Sequence, residues 1–246
     1  MGRYRIGAPL IDLSPQPPVR EAMPDRMYAV LKHRILTCIL EPGWKVNEKV
    51  LADELGASRT PLREAMNRLA LEGLLKLNPY KGFVVSPVTA EDIAHLSEVR
   101  RIVESETAAL AARRAREEDC QRLEKLCHLR YVPGNRRTYE RYLRDNTAFH
   151  IAIARCSGNR RLEQIVASVL DEMQRPLYLG LDLGIDAAEA TKEHKELVDA
   201  IRAKKPARAR KVMVDQLARS QKRVLNALMS AKLESQQETG RNGNPK

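Results

Sequence analysis

The chain has 246 residues, enough for one large domain or two ordinary ones, and its 43 % hydrophobic content excludes a chain too polar to build a core. Only 4 % of residues are aromatic while 30 % are charged, many in Ala/Leu/Glu/Arg/Lys runs, which argues for a mainly helical protein against an all-β sandwich. The formal net charge of +11 favours anionic partners, nucleic acid first, but it does not locate a surface: residues 1–86 hold 13 Lys/Arg against 9 Asp/Glu, and the remainder 30 against 23.

Residues 1–24 carry Pro9, Pro15, Pro17, Pro18 and Pro24 with little periodicity and read as a flexible extension, too interrupted for a signal peptide. From Arg26, the spacing of Tyr28, Leu31, Ile35 and Ile39 predicts a helix stopped by Glu41-Pro42-Gly43. A second helix is expected over Glu48–Leu55, capped by Asn47, with Val50, Leu51 and Leu55 inward. After the Gly56-Ala57-Ser58 turn a third begins at Thr60-Pro61, with Thr as cap and Pro at the first helical position. Its inward stripe is Leu62, Ala65 or Met66, and Leu69, and Gly73 ends it. Two β-like runs, Leu74–Leu77 and Phe83–Ser86, then predict a hairpin. Three helices and a hairpin in residues 25–87 make a winged helix-turn-helix.

Thr89-Ala-Glu-Asp92 resembles a capping box opening a long helix to about Arg116. Further helices are expected near 118–130, 138–156, 160–180, 187–203 and 207–233, so residues 88–234 read as an all-α antiparallel bundle and 235–246 as a disordered tail. No 18-residue apolar run predicts a membrane span. Cys38, Cys120, Cys127 and Cys156 lie in predicted helices without CxxC spacing, as reduced thiols in a cytoplasmic protein would.

On the third helix, Arg63 and Asn67 lie four apart opposite the apolar stripe, with Arg59 and Thr60 at its amino end. Such an end enters the DNA major groove, where Arg reads guanine and Asn reads adenine. Lys49, Tyr80 and Lys81 are candidates for phosphate or minor-groove contacts; surface solvation is the plainer role for any one of them. In the second domain, Asn146 and His150 project from one helical face, and His194 from another helix could join them as a metal site holding a carboxylate against an arginine. Asp145 is expected to point elsewhere.

The stretch Leu51-Ala-Asp-Glu-Leu-Gly-Ala-Ser-Arg-Thr-Pro-Leu-Arg-Glu-Ala65, with Arg68-Leu69-Ala70 and Glu72-Gly73-Leu74, closely resembles the DNA-binding domain of GntR-type bacterial regulators. Three stretches resemble the effector-binding (FCD) domain of their FadR subfamily: Glu98-Val-Arg-Arg101 with Glu104; Asn146-Thr-Ala-Phe-His150 with Ser157-Gly158-Asn159; and Glu193-His194 leading to Ala200-Ile201-Arg202. The resemblance spans residues 25–230. It implies that Lys49, Arg59, Thr60 and Arg63 contact double-stranded operator DNA, and that Gly82 lets the wing approach the minor groove. A turn requiring positive φ is the other reason for glycine at 82.

The resemblance further implies a homodimer, usually a repressor, and a small organic acid as effector, with Arg100 or Arg101 as its carboxylate partner. Relatives place Asp or Asn and then three His around a divalent metal, Zn or Ni. Here Gln216 stands in the last position, 22 residues after His194. Gln is a poor ligand beside imidazole, so a metal-free polar pocket of Asn146, His150, His194 and Gln216 is the alternative. Two other functions stay open against a regulator: a metal-dependent helical hydrolase using His150 and His194, and a non-specific architectural DNA-binding protein. Against an enzyme, the chain lacks HExxH, GxSxG and a phosphate loop.

Overall fold

The computed structural model describes residues 22–79, 82–181 and 187–241, with side chains described as far as residue 230. Most of the proposed extension, the wing-tip residues Tyr80 and Lys81, and residues 242–246 of the expected tail therefore lie outside the described residues.

The first unit packs α1 (Met23–Leu36), α2 (Glu48–Leu55) and α3 (Arg59–Leu71) against a hairpin of β1 (Leu75–Asn78) and β2 (Gly82–Val85). The strands are antiparallel with Leu75 opposite Val85 and Asn78 opposite Gly82. One small core holds it together: Met27, Leu31 and Ile35 of α1, Leu51 of α2, Leu62, Met66 and Leu69 of α3, and Leu75, Phe83 and Val85 of the wing. The wing is broader than the hairpin alone, because Lys45 bridges to Val84 and Val46 donates its N–H to the carbonyl of Phe83.

Several expectations are corrected in detail. The chain turns at Thr37 before Ile39, which is left 58 % exposed, and Met27 takes the buried place expected of Tyr28. Cys38 accordingly lies in a turn with φ 51°, not in a helix. Val50 is also 58 % exposed: α2 is two turns long and turns only Leu51 and Ala52 fully inward. Helix α3 starts two residues early, at Arg59 rather than Pro61, with Ser58 in the cap position; Thr60 is inside the first turn.

The second unit is built from α4 (Ala90–Arg114), α5 (Glu117–Leu126), α6 (Tyr139–Cys156), α7 (Arg160–Leu181), α8 (Ala187–Arg202) and α9 (Pro206–Arg241). The capping box at Thr89 forms as expected: Thr89 Oγ1 accepts from Asp92 N (3.0 Å), and the Asp92 carboxylate accepts from Thr89 N (3.2 Å). Helix α4 is the central strut, packed on α6, α7, α8 and α9. It can take that position because its buried face includes the small residues Ser97, Ser105, Ala108, Ala109, Ala111 and Ala112, which admit close neighbours. Helix α9 continues to Arg241, past Ser235, where the sequence pattern places the end of the bundle.

The units meet where α7 reaches back to the linker. Arg175, 6 % exposed, donates to the carbonyl oxygen of Ser86 and lies near Cys38 and Asp92. Burial lowers the pKa of its guanidinium, against the pull of those two neighbours. A cleft of about 570 Å3 opens beside it, lined by Ser86, Pro87, Thr89, His95 and Pro176 among others.

Candidate functional site

Two places carry chemistry. The first is the outer face of α3. With Leu62, Ala65, Met66 and Leu69 each fully buried, the helical period forces Arg59, Arg63 and Asn67 outward, and all three are exposed, as are Thr60 and Lys49. The helix is held in that orientation from behind. Arg68 pairs with Asp25 of α1 at 2.6 Å and lies 4.1 Å over the Tyr28 ring, while Glu72 accepts from Tyr28 and Lys32. By contrast Arg63 has only a long contact, 3.7 Å to Glu48, and is 60 % exposed. Ser58 makes no side-chain cap, so the first N–H groups of α3 remain for an anion. Gly82, at the wing, has φ +71°, and a Cβ placed there would meet nothing within 4 Å. Its backbone needs glycine, and the surrounding space leaves room for a close approach.

The second place is a small cavity of about 30 Å3 inside the bundle. Arg100 of α4, Tyr142, Asn146 and His150 of α6, Leu177 and Leu181 of α7, Glu193 of α8, and Gln216 and Arg223 of α9 line it. The expected residues thus converge, with two exceptions. Arg101 is half-buried and absent from the lining, and His194 sits behind the wall, fully buried with its ring stacked on Phe149 at 3.8 Å. Asp145 pairs with Arg141 and Arg144, on the outer side of α6.

Glu104, behind the lining, contacts two of the cavity residues. Its Oε1 accepts from Arg100 Nε at 2.5 Å and its Oε2 lies 2.6 Å from His150 Nδ1, with all three side chains at most 4 % exposed. The His150 contact is close but off the line of the ring N–H, so it is a close polar contact rather than a well-formed hydrogen bond. Burial by itself would raise the Glu104 pKa; Arg100 and His150 overcome it and hold the carboxyl down to about 2. His194 is driven the other way: burial, helped by neighbouring His150, pushes its pKa well below the usual imidazole value, so it is neutral. Among the described residues neither of its nitrogens has a hydrogen-bond partner, nor has Gln216 Oε1.

This donor set does not fit a divalent metal. Two imidazoles and two amides bind Zn or Ni poorly, one imidazole is committed to a carboxylate, and the other stacks on a phenyl ring. Among the described residues, no group of three His, Cys, Asp or Glu side chains is placed to hold a metal ion.

Sequence reasoning missed the importance of Glu104 and Arg223. For Glu104 a signal existed, since Arg100 and Glu104 are four apart on one helix. Arg223 belongs to a helix with arginines on several faces, and nothing in its spacing marks the one that faces inward.

Comparison with known proteins decides the family. Residues 23–85 match the profile described as bacterial regulatory proteins, gntR family, and residues 95–219 match the FCD domain, half of the chain by itself. The chain belongs to the GntR family. Among GntR-type relatives, an uncharacterised HTH-type transcriptional regulator, YdhC of Bacillus subtilis, is 30 % identical over 73 % of this chain and 80 % of that protein. The HTH-type transcriptional repressor RspR of Escherichia coli is 23 % identical over 77 % of this chain and 81 % of its own length. Two solved structures share the fold: E. coli McbR/YncC (TM-score 0.63, 22 % identity) and a putative GntR regulator from Rhodococcus (TM-score 0.64, 22 % identity). They cover 83 % of this chain and 98 % of each of theirs. This GntR-family chain is therefore a transcriptional regulator with a DNA-binding and an effector-binding domain, not an enzyme, and the hydrolase reading is set aside. Among its described residues no helix is long and apolar enough to cross a membrane.

Proposed function

We propose that this regulator binds a palindromic operator as a homodimer in the cytoplasm, as a repressor, and that a small carboxylate metabolite in the bundle cavity modulates that binding. The observation that carries the proposal is the opposition on α3: a fully buried Leu62/Met66/Leu69 stripe fixes an exposed Arg59/Arg63/Asn67 ridge for groove contact. Lys49, Thr60, Gly82 and the wing-tip pair Tyr80 and Lys81 complete the proposed DNA contact set. Similarity to the transcriptional repressor RspR supports repression. Dimerisation is supported by bulky apolar side chains exposed on two helices that pack together, Val99 and Ile102 of α4 and Ile165 of α7.

The cavity is proposed to work without a resident metal, through polar contacts of Asn146, His150 and Gln216. Adding Zn or Ni to chelator-treated protein is then expected to leave its unfolding temperature unchanged; a rise of several degrees would restore the metal reading.

The test of the main proposal is selection of bound fragments from the source organism's sheared genome, with the oligomeric state measured by sedimentation. Enrichment of a short palindrome by a dimer is the expected result. A monomer retaining all fragments alike, with a steep salt dependence, would establish a sequence-indifferent architectural binder instead.

A further inference from the structure

We infer that Arg223, on α9, is the residue that receives the anionic group of the effector, and that it does so by exchanging its loose contacts with Glu193 and Glu189 for the incoming carboxylate. The inference rests on the proposed carboxylate effector and names the side chain and ligand class that the cavity fits.

Two of the described residues lining the cavity are cationic, Arg100 and Arg223. Arg100 is already neutralised. It is 4 % exposed, bound at 2.5 Å by Glu104, and that carboxyl is held ionised by Arg100 and His150 together. A second anion brought to Arg100 would meet the Glu104 charge at once, in a medium where such repulsion is poorly screened. Arg101 does not reach the cavity.

Arg223 also has carboxylates beside it, but it is held far more loosely and is more exposed. Its contacts with Glu189 and Glu193 are 3.4 to 3.5 Å long, against about 2.8 Å for a good charge-assisted bond. Its Nε is buried with no hydrogen-bond partner among the described residues. Glu193, meanwhile, is held independently by Arg219 at 2.5 Å. Withdrawing Arg223 from Glu193 therefore leaves no bare buried carboxylate, and the freed guanidinium can grip a ligand carboxylate through two parallel N–H bonds.

The opposite end of the cavity states what else the ligand must carry. Gln216 Oε1 is a buried acceptor without a donor among the described residues, and only an O–H or N–H satisfies it. Positions 216 and 223 are seven residues apart on one helix, about 10 Å along its axis. A hydroxylated monocarboxylate of roughly five or six carbons spans that distance, its carboxylate on Arg223 and a distal hydroxyl donating to Gln216. A cavity of about 30 Å3 is too small to admit it closed. Opening the Arg223 bridge to α8 would widen it, which makes the same residue anchor and latch.

The experiment is thermal shift on the full chain with gluconate, galactonate and ribonate, each beside its neutral amide, for wild type, Arg223→Gln, Arg223→Lys and Arg101→Gln. At least one acid is expected to raise the unfolding temperature of wild type and of Arg101→Gln, with no effect of its amide. Its affinity is expected to fall at least about tenfold in Arg223→Gln and by less in Arg223→Lys, which keeps the charge but loses the fork. The lysine variant also serves if Arg223→Gln does not fold. If an acid stabilises wild type and both Arg223 variants alike, the assignment of Arg223 is overturned while the carboxylate reading stands. If none of the acids stabilises wild type, the hydroxy-acid reading falls, and the role of Arg223 with it.

Discussion

Glu104 shows how much one carboxylate can decide. It compensates Arg100 inside a core where a bare guanidinium would be very costly, and it also meets His150. Glu104→Gln is expected to destabilise the protein by about 3–5 kcal/mol, because it leaves a buried cation unpaired; urea unfolding measures this, and a loss near zero would mean that Arg100 finds water. The pH dependence has a definite sign. The folded pKa, about 2, lies below the ordinary 4.5, so the pair's contribution is complete above about 4.5 and is lost as pH falls toward 2. The cysteines carry no comparable chemistry. All four are free thiols, and burial pushes Cys127 up to about 12 and Cys156 to about 11, far from the thiolate needed for reaction.

At the scale of elements, the start of α4 joins the two domains through a reciprocal cap. Thr89→Ala removes the Oγ1 that accepts from Asp92 N and is expected to cost about 1 kcal/mol by chemical denaturation. A cost near zero would show that Asp92 alone holds that end. The cap was legible in the sequence, as were α2 with its Asn47 cap and the buried stripe of α3, because each rests on local periodicity or on a side chain bonding its own backbone. The errors cluster where tertiary packing chooses between neighbours. Met27 displaces Tyr28 from the core since the Tyr28 hydroxyl is needed by Glu72 and Lys32. Val50 is apolar but lies on the far side of a two-turn helix. The Lys45–Val84 bridge was invisible because a single paired residue has no period. In the cavity, Asn146, His150 and Gln216 were found by motif, and the four-residue spacing of Arg100 and Glu104 was readable too; the contact of Glu104 with His150 and the inward turn of Arg223 depend on how the helices meet, which no local pattern records.

At the scale of the molecule, the proposed DNA-reading face and the cavity lie in different domains, and α7 reaches from the cavity to the linker between them. Its Leu177 and Leu181 line the cavity, while Arg175, next to the helix-interior Pro176, holds the linker at Ser86. Arg175→Met is expected to split calorimetric unfolding into two transitions, the winged helix melting apart from the bundle; one unchanged transition would show that the apolar contacts around Cys38 suffice. The most direct test of the central claim is fluorescence anisotropy at physiological salt. Wild type and Arg63→Ala would each be titrated against the selected palindrome and a scrambled duplex. The expected result is a loss of about 1–3 kcal/mol for Arg63→Ala on the palindrome, with little change on the scrambled duplex. Equal affinities of the two proteins for both duplexes would contradict the assignment of α3 as the reading helix.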